Sequence, residues 1–255
     1  MRDLKGKRAL ITGGTSGIGK ATAAALAAAG ATVAVSGRDK AKGQAVVDAI
    51  RPTEGSVVFV ATDLVDAETA LELAASAVDS LGGGVDILVN NAGTSSFGPT
   101  ASHDEATFDS IYGLNVKVPY FLVAALAPAM AQRGAGAIVN VSTMVAQFGL
   151  DGMALYGSSK AALELLTKAW AAEFGPQGVR VNAVSPGPTR TEGTARMGDA
   201  LGELASVAPA GRPASPQEIA TAIVFLASDE ASFIHGAVLA VDGGRAATRS
   251  RPRSL

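Results

Sequence analysis

Thr12-Gly13-Gly14-Thr15-Ser16-Gly17-Ile18-Gly19 follows the apolar run Arg8 to Ile11 and leads into the Ala-rich stretch Gly17 to Ala29. Gly13, Gly17 and Gly19, spaced Gly-x3-Gly-x-Gly, let a backbone turn tightly and come close to a pyrophosphate. The free N–H groups and positive end of a helix starting there would meet its charge. An ordinary glycine-rich turn between strand and helix can look the same, so the setting of the motif decides its weight.

That setting is a repeated alternation. Six further β-rich apolar runs follow, Thr32 to Ser36, Ser56 to Ala61, Val85 to Val89, Ala137 to Val141, Val179 to Val184 and Ala237 to Val241. Between them lie stretches of helical composition and spacing: Lys40 to Ile50, Ala67 to Leu81, Glu105 to Ala131, Met153 to Phe174 and Pro216 to Leu226. The strand runs are apolar throughout instead of alternating, as strands covered on both faces are, which predicts an α/β layer fold around a parallel sheet. No Pro/Ser-rich linker divides the chain, so residues 1–255 are expected to form a single domain. Two segments stay irregular: Thr189 to Pro213, long enough for a lid, and the tail Arg245 to Leu255, either a solvated terminus or a binding arm carrying Arg245, Arg249, Arg251 and Arg253.

Composition narrows the function classes. With 255 residues a sizeable core is available without covalent staples. Zero cysteines exclude disulfides, thiolate metal sites and cysteine nucleophiles. The 21 basic and 23 acidic residues leave a net charge of −2, which gives no chain-wide attraction to nucleic acid or an anionic membrane. The N-terminal apolar run is too short for a signal peptide. The stretch Tyr120 to Ala131, twelve residues containing Pro128, is too short to cross a bilayer, so a cytoplasmic protein is expected. His103 and His235 have no partner pattern, and no metal site is expected.

Further motifs stand at the strand ends. Asn90-Asn91-Ala92-Gly93 follows the fourth run, Ser142 follows the fifth, and Tyr156-Gly157-Ser158-Ser159-Lys160 opens a helix. Together with the glycine turn and the closing Val241-Asp242-Gly243-Gly244, this set resembles the short-chain dehydrogenase/reductase family over nearly the whole chain. The resemblance implies a Rossmann-type doubly wound sheet of seven parallel strands with helices on both faces. It also implies a catalytic set of Asn115, Ser142, Tyr156 and Lys160. The cofactor site it implies comprises Gly13, Thr15, Ser16, Gly17, Ile18 and Gly19, with Arg38, Asp63 and Leu64 toward the adenosine. Asn91, Ala92, Gly93, Tyr156, Lys160, Pro186, Gly187, Thr189 and Thr191 complete it toward the nicotinamide. Asp63 could instead cap the following helix. A homo-oligomer, tetramer or dimer, is also implied, and the Ala-rich helices Glu105 to Ala131 and Met153 to Phe174 could pack across its two-fold.

The residue chemistry agrees. Tyr156 and Lys160, four apart, are neighbours on one helix face. A lysine cation beside a phenol favours the phenolate and brings it toward working pH. In reduction Tyr156 would donate a proton to the carbonyl oxygen, Ser142 would polarise that oxygen, Lys160 would tune the phenol and contact the cofactor ribose, and Asn115 would hold a water. Taken singly, each has a plainer role: a half-buried Tyr, a solvated Lys, a strand-end hydroxyl, a polar residue bonded inside its helix.

The nicotinamide cofactor is chosen at Val35-Ser36-Gly37-Arg38-Asp39. An acid at the end of this strand would accept from both ribose hydroxyls, but Gly37 stands there and Arg38 suits a 2′-phosphate. NADP is therefore expected over NAD, although Asp39 is adjacent. The expected activity is hydride transfer between NADP(H) and a carbonyl or secondary alcohol. The loops carrying Phe97, Met144, Phe148, Met197 and Leu201 favour an apolar or amphipathic small molecule, with Arg190 and Arg196 solvated, and a 3-oxoacyl thioester is the alternative. The competing class is a non-catalytic dinucleotide-binding regulator on the same fold. A sugar-nucleotide epimerase or dehydratase would be expected to have a longer chain and another glycine spacing.

Overall fold

The computed structural model describes residues 3–51 and 56–248, so Arg249, Arg251 and Arg253 of the tail lie outside the described residues. Seven strands form one sheet: β1 (Arg8–Ile11), β2 (Thr32–Gly37), β3 (Ser56–Ala61), β4 (Ile87–Asn90), β5 (Gly136–Val141), β6 (Val179–Pro186) and β7 (Val238–Val241). Every pairing is parallel, and the order is β3-β2-β1-β4-β5-β6-β7. Among the described residues eight α-helices connect them: α1 (Gly17–Ala28), α2 (Lys40–Ile50), α3 (Ala67–Ser80), α4 (Glu105–Tyr112), α5 (Val118–Gln132), α6 (Ala154–Phe174), α7 (Ala200–Ser206) and α8 (Pro216–Ala227).

Strand parity explains why the runs read as uniformly apolar. Ala9 and Ile11 of β1, Val33 and Val35 of β2 and Ile87 and Val89 of β4 point into one core with α1, α2 and α8. Leu10, Ala34 and Leu88 between them point into a second core with α3, α5 and α6. Both faces are dry, as a doubly wound sheet requires. The strand order reverses between β1 and β4, and the crevice outside their carboxyl ends is where such sheets bind ligands.

Three elements depart from the sequence reading. β4 starts at Ile87, not Val85, because the Asp86 carboxylate turns to the start of β1, accepting from Arg8 N at 3.0 Å and Nε at 2.9 Å. The helix expected over Glu105 to Ala131 is broken into α4, a π-helical turn over Gly113–Lys117, and α5. Pro119 has no N–H to give the Asn115 carbonyl an α-type bond, and the turn widens until Val118 N reaches the Gly113 carbonyl. The irregular segment Thr189 to Pro213 contains α7, anchored by buried Leu201 and Ala205. By length and composition the run Glu105–Gln132 could cross a membrane, but Leu122, Val123, Leu126 and Met130 are buried in the second core, as in a core helix of a folded domain.

Candidate active site

The glycine turn is held from beneath by the segment after β4. Asn91 Nδ2 donates to the carbonyls of Thr12 (2.9 Å) and Gly13 (3.0 Å), while the N–H groups of Asn91 and Ala92 donate to the Thr12 hydroxyl at 3.0 and 2.9 Å. A Cβ at Gly19 would lie 2.3 Å from the Gly13 carbonyl oxygen, so only glycine fits where helix and turn meet. Gly17 opens α1 at φ +51°, and the N-cap Ser16 makes no side-chain capping bond, leaving the helix start without a local side-chain cap. This is a fitting cradle for a dinucleotide's diphosphate.

At the adenosine end, a Cβ on Gly37 would meet Thr15 Cγ2 at 2.7 Å. Asp39 caps α2, its carboxylate accepting from Lys42 N at 3.0 Å, and so faces away from a ribose role. Arg38 and Asp63 come together, Nε to Oδ1 3.7 Å, both largely exposed. The helix cap considered for Asp63 belongs to Asp66, which forms a capping box with Thr69. Leu64 is a core residue, which leaves its backbone for any cofactor contact.

The catalytic candidates gather at the carboxyl end of β5, with one substitution. Ser142 does not meet Tyr156: its hydroxyl donates to Glu164 Oε1 at 2.7 Å. The hydroxyl near enough to the Tyr156 phenol to oppose the rise in its pKa is that of Thr143. Successive side chains point to opposite sides of a strand, so Ser142 shares the side of Asn140, which donates to Thr167 on α6 at 2.8 Å. The neighbouring Thr143 is extended and only partly buried.

Lys160 is 3% exposed, and its ammonium donates to the Val141 carbonyl at 2.9 Å. Burial lowers its pKa from 10.5 to about 8. The expected lowering of the phenol by this cation is not found: burial pushes Tyr156 up, opposed only by the Thr143 hydroxyl. A neutral phenol at working pH is poised to give a proton.

Asn115 is fully buried and spends its side chain on structure. Oδ1 accepts from Thr94 N at 3.0 Å, and Nδ2 donates to Thr94 O at 2.9 Å and Ser159 Oγ at 3.0 Å. A Cβ at Gly93 would sit 3.2 Å from Lys160 Nζ, so the loop after β4 starts against the lysine. It ends on Gly152, where Phe97 packs and Gly98 N donates to the Gly152 carbonyl at 3.0 Å. The loop therefore runs from a residue four after Tyr156 to one four before it.

Beyond β6, Gly187 packs so tightly on Asp242 that a Cβ would lie 2.7 Å from its Cα, which sends the chain back toward the glycine turn. Thr189, Thr191 and Thr194 bond to one another, and the Thr191 side chain lies against Gly17. A cleft of about 640 Å³, lined by Lys20, Ala24, Arg190, Glu192, Leu201 and Gln217 among others, opens between α1, this segment and α8. Its lining includes none of Thr143, Tyr156 or Lys160. Arg245 of the tail is not simply solvated: its guanidinium lies 4.9 Å from the Phe148 ring centroid.

The family model described as enoyl-(acyl carrier protein) reductase matches residues 13–246. A solved structure titled short chain dehydrogenase/reductase family protein is similar at 48% identity and TM-score 0.89, covering 96% of this chain and 100% of the other. The chain belongs to the short-chain dehydrogenase/reductase family. Within this oxidoreductase family, the chain is 37% identical to the 3-oxoacyl-[acyl-carrier-protein] reductase of Thermotoga maritima, over 94% of this chain and 98% of that protein. It is also similar to the blue fluorescent protein from a metagenomic library, solved in complex with NADPH, at 33% identity and TM-score 0.91, with 96% and 100% coverage. The sequence reading passed over Thr143, which lies beside the phenol, and Glu192, which accepts from Gly17 N at 2.9 Å. Strand parity alone could have flagged Thr143, had it been clear which side of β5 faced the crevice.

Proposed function

We propose that the protein reduces carbonyls, or oxidises secondary alcohols, with NADP(H), using Tyr156 as general acid/base and Thr143 in the role first expected of Ser142. The observation that carries this reading is that the Thr143 hydroxyl lies beside the Tyr156 phenol, one helical turn before buried Lys160, while the Ser142 hydroxyl is spent on Glu164. In reduction, Tyr156 gives its proton to the carbonyl oxygen while Thr143 donates a hydrogen bond to that oxygen and polarises it. Lys160, released from Val141, reaches toward the ribose. The backbone carbonyl of Asn115, deprived of an α-type partner by Pro119, is the acceptor offered to a proton-carrying water.

The cofactor supplies the hydride when bound. Gly13, Thr15, Ser16, Gly17, Ile18 and Gly19 would hold its diphosphate, with Thr191 beside them. Asn91 and Ala92 support the turn, and Gly93, Pro186, Gly187 and Thr189 border the nicotinamide end. NADP is favoured over NAD by Gly37, by exposed Arg38 and by the engagement of Asp39 as a cap. The NADPH complex of the metagenomic relative supports the same choice.

For the substrate, Phe97, 73% exposed beside the crevice, and partly exposed Met197 support an apolar or amphipathic ketone or secondary alcohol. The name of the Thermotoga relative supports the 3-oxoacyl thioester alternative. A cytoplasmic homo-oligomer is part of the proposal, with Phe108, Tyr120, Leu165 and Phe233 as exposed apolar residues that assembly would cover. The test is Tyr156→Phe, assayed with NADPH against ketones and 3-oxoacyl thioesters. Turnover should fall roughly 10²- to 10⁴-fold while NADPH still binds, because only the proton donor is lost. Near-wild-type turnover would remove Tyr156 from the reaction.

A further inference from the structure

The N–H of Gly17, the first residue of α1, donates at 2.9 Å to Glu192 Oε2, across 175 positions of sequence. Nothing acidic lies in the first turn of α1 itself, and Ser16 does not cap it. The helix start is thus served by a carboxylate from the segment after β6. Thr191, the preceding residue, rests its side chain on the same glycine. Helix N-termini attract anions through unpaired N–H groups and the helix dipole. An incoming diphosphate seeks the same groups. The structure therefore has an internal anion at the position where the proposed cofactor must bring its own.

We propose that Glu192 is a built-in competitor of the cofactor diphosphate and sets how tightly the dinucleotide is held. The inference rests on the dinucleotide reading above and concerns affinity, not the chemical step. When the diphosphate arrives, the carboxylate either withdraws from Gly17 N or stays beside two like charges, and both courses weaken binding. The cations lining the cleft on this side, Lys20 of α1 and Arg190 of the same segment, are placed to receive the displaced carboxylate. The contact also joins the segment after β6 to the glycine turn.

The test is direct titration of the full-length protein with NADPH and with NADH, followed by calorimetry, without substrate. Glu192→Gln keeps an acceptor for Gly17 N and removes the charge, and Glu192→Ala removes both. Each is checked first for a cooperative unfolding transition. Both variants should bind NADPH and NADH roughly tenfold more tightly than wild type, equivalent to about 1.4 kcal/mol, with a similar gain for the two because both carry the diphosphate. Raising the salt concentration should shrink the gain. Unchanged or weaker binding in both variants overturns the inference while leaving the dinucleotide reading intact. Failure of the wild-type protein itself to bind either dinucleotide overturns that reading, and this inference with it.

Discussion

Replacing Lys160 by methionine should abolish turnover and make the protein more stable. The lysine is 3% exposed, and burial lowers its pKa from 10.5 to about 8. At ~1.4 kcal/mol per pH unit, holding the ammonium in the folded state at neutral pH costs about 3 kcal/mol. Its bond to the Val141 carbonyl returns about 1 kcal/mol, so a methionine of similar length should gain roughly 2 kcal/mol at pH 7. For a chain of this size that is a rise of about 4–8 °C in Tm.

The pH dependence distinguishes this cause from better packing. Between pH 8 and 10.5 the unfolded chain holds a proton on Lys160 that the folded protein has released. Wild-type stability therefore rises with pH through that window. The advantage of the methionine variant is fully present below pH 8 and fades toward pH 10.5. Urea unfolding of both proteins at pH 7 and pH 10, at one protein concentration because assembly would shift the midpoint, measures both quantities. A variant no more stable than wild type at pH 7, or a stability gap that does not change with pH, would refute the reasoning.

The exchange of roles at the end of β5 can be tested by a pair of substitutions: Thr143→Val should cut turnover roughly 10²-fold, with Thr143→Ser largely restoring it, whereas Ser142→Ala should cost much less. Equal losses at the two positions would return Ser142 to the reaction. For the cofactor, Arg38→Ala should weaken NADPH binding by about 1–3 kcal/mol more than NADH binding, as read by parallel titrations. An equal loss for both would mean that Arg38 does not read the 2′-phosphate.

The sheet was legible because its physics is local: residues such as Ala9, Leu10 and Ile11 are apolar on both sides since each side faces its own helix layer. The glycine turn was equally plain, because Gly19 is forced by a backbone neighbour only six residues away. What the sequence left open depended on distant parts of the chain. Ser142 and Thr143 are adjacent hydroxyls of similar chemistry, and only the packing of β5 against α6 decides which one faces Tyr156. The expected effect of Lys160 on the phenol assumed that neighbours on a helix must interact, whereas the long lysine side chain found a backbone carbonyl instead. The π-turn had a signal in Pro119, but helical periodicity hides a single widened turn. Helix α7 was masked by Gly198 before it and Gly202 within it, and the bond from Gly17 to Glu192 has no local signature.

The packing of Thr15 against Gly37 constrains how this protein's descendants could change coenzyme. An acidic side chain at position 37 is the simple way to claim a ribose hydroxyl pair and turn away a 2′-phosphate. Here its first carbon would land 2.7 Å from Thr15 Cγ2 and 2.9 Å from Thr15 Oγ1. A mutant that gains the acid first carries a strained turn at the site meant to benefit, and selection meets the damage before the advantage. The open route runs the other way: Thr15 shrinks to serine or alanine at little expense, and the acid then enters the vacated space. The order of the two changes is thus written into one van der Waals contact.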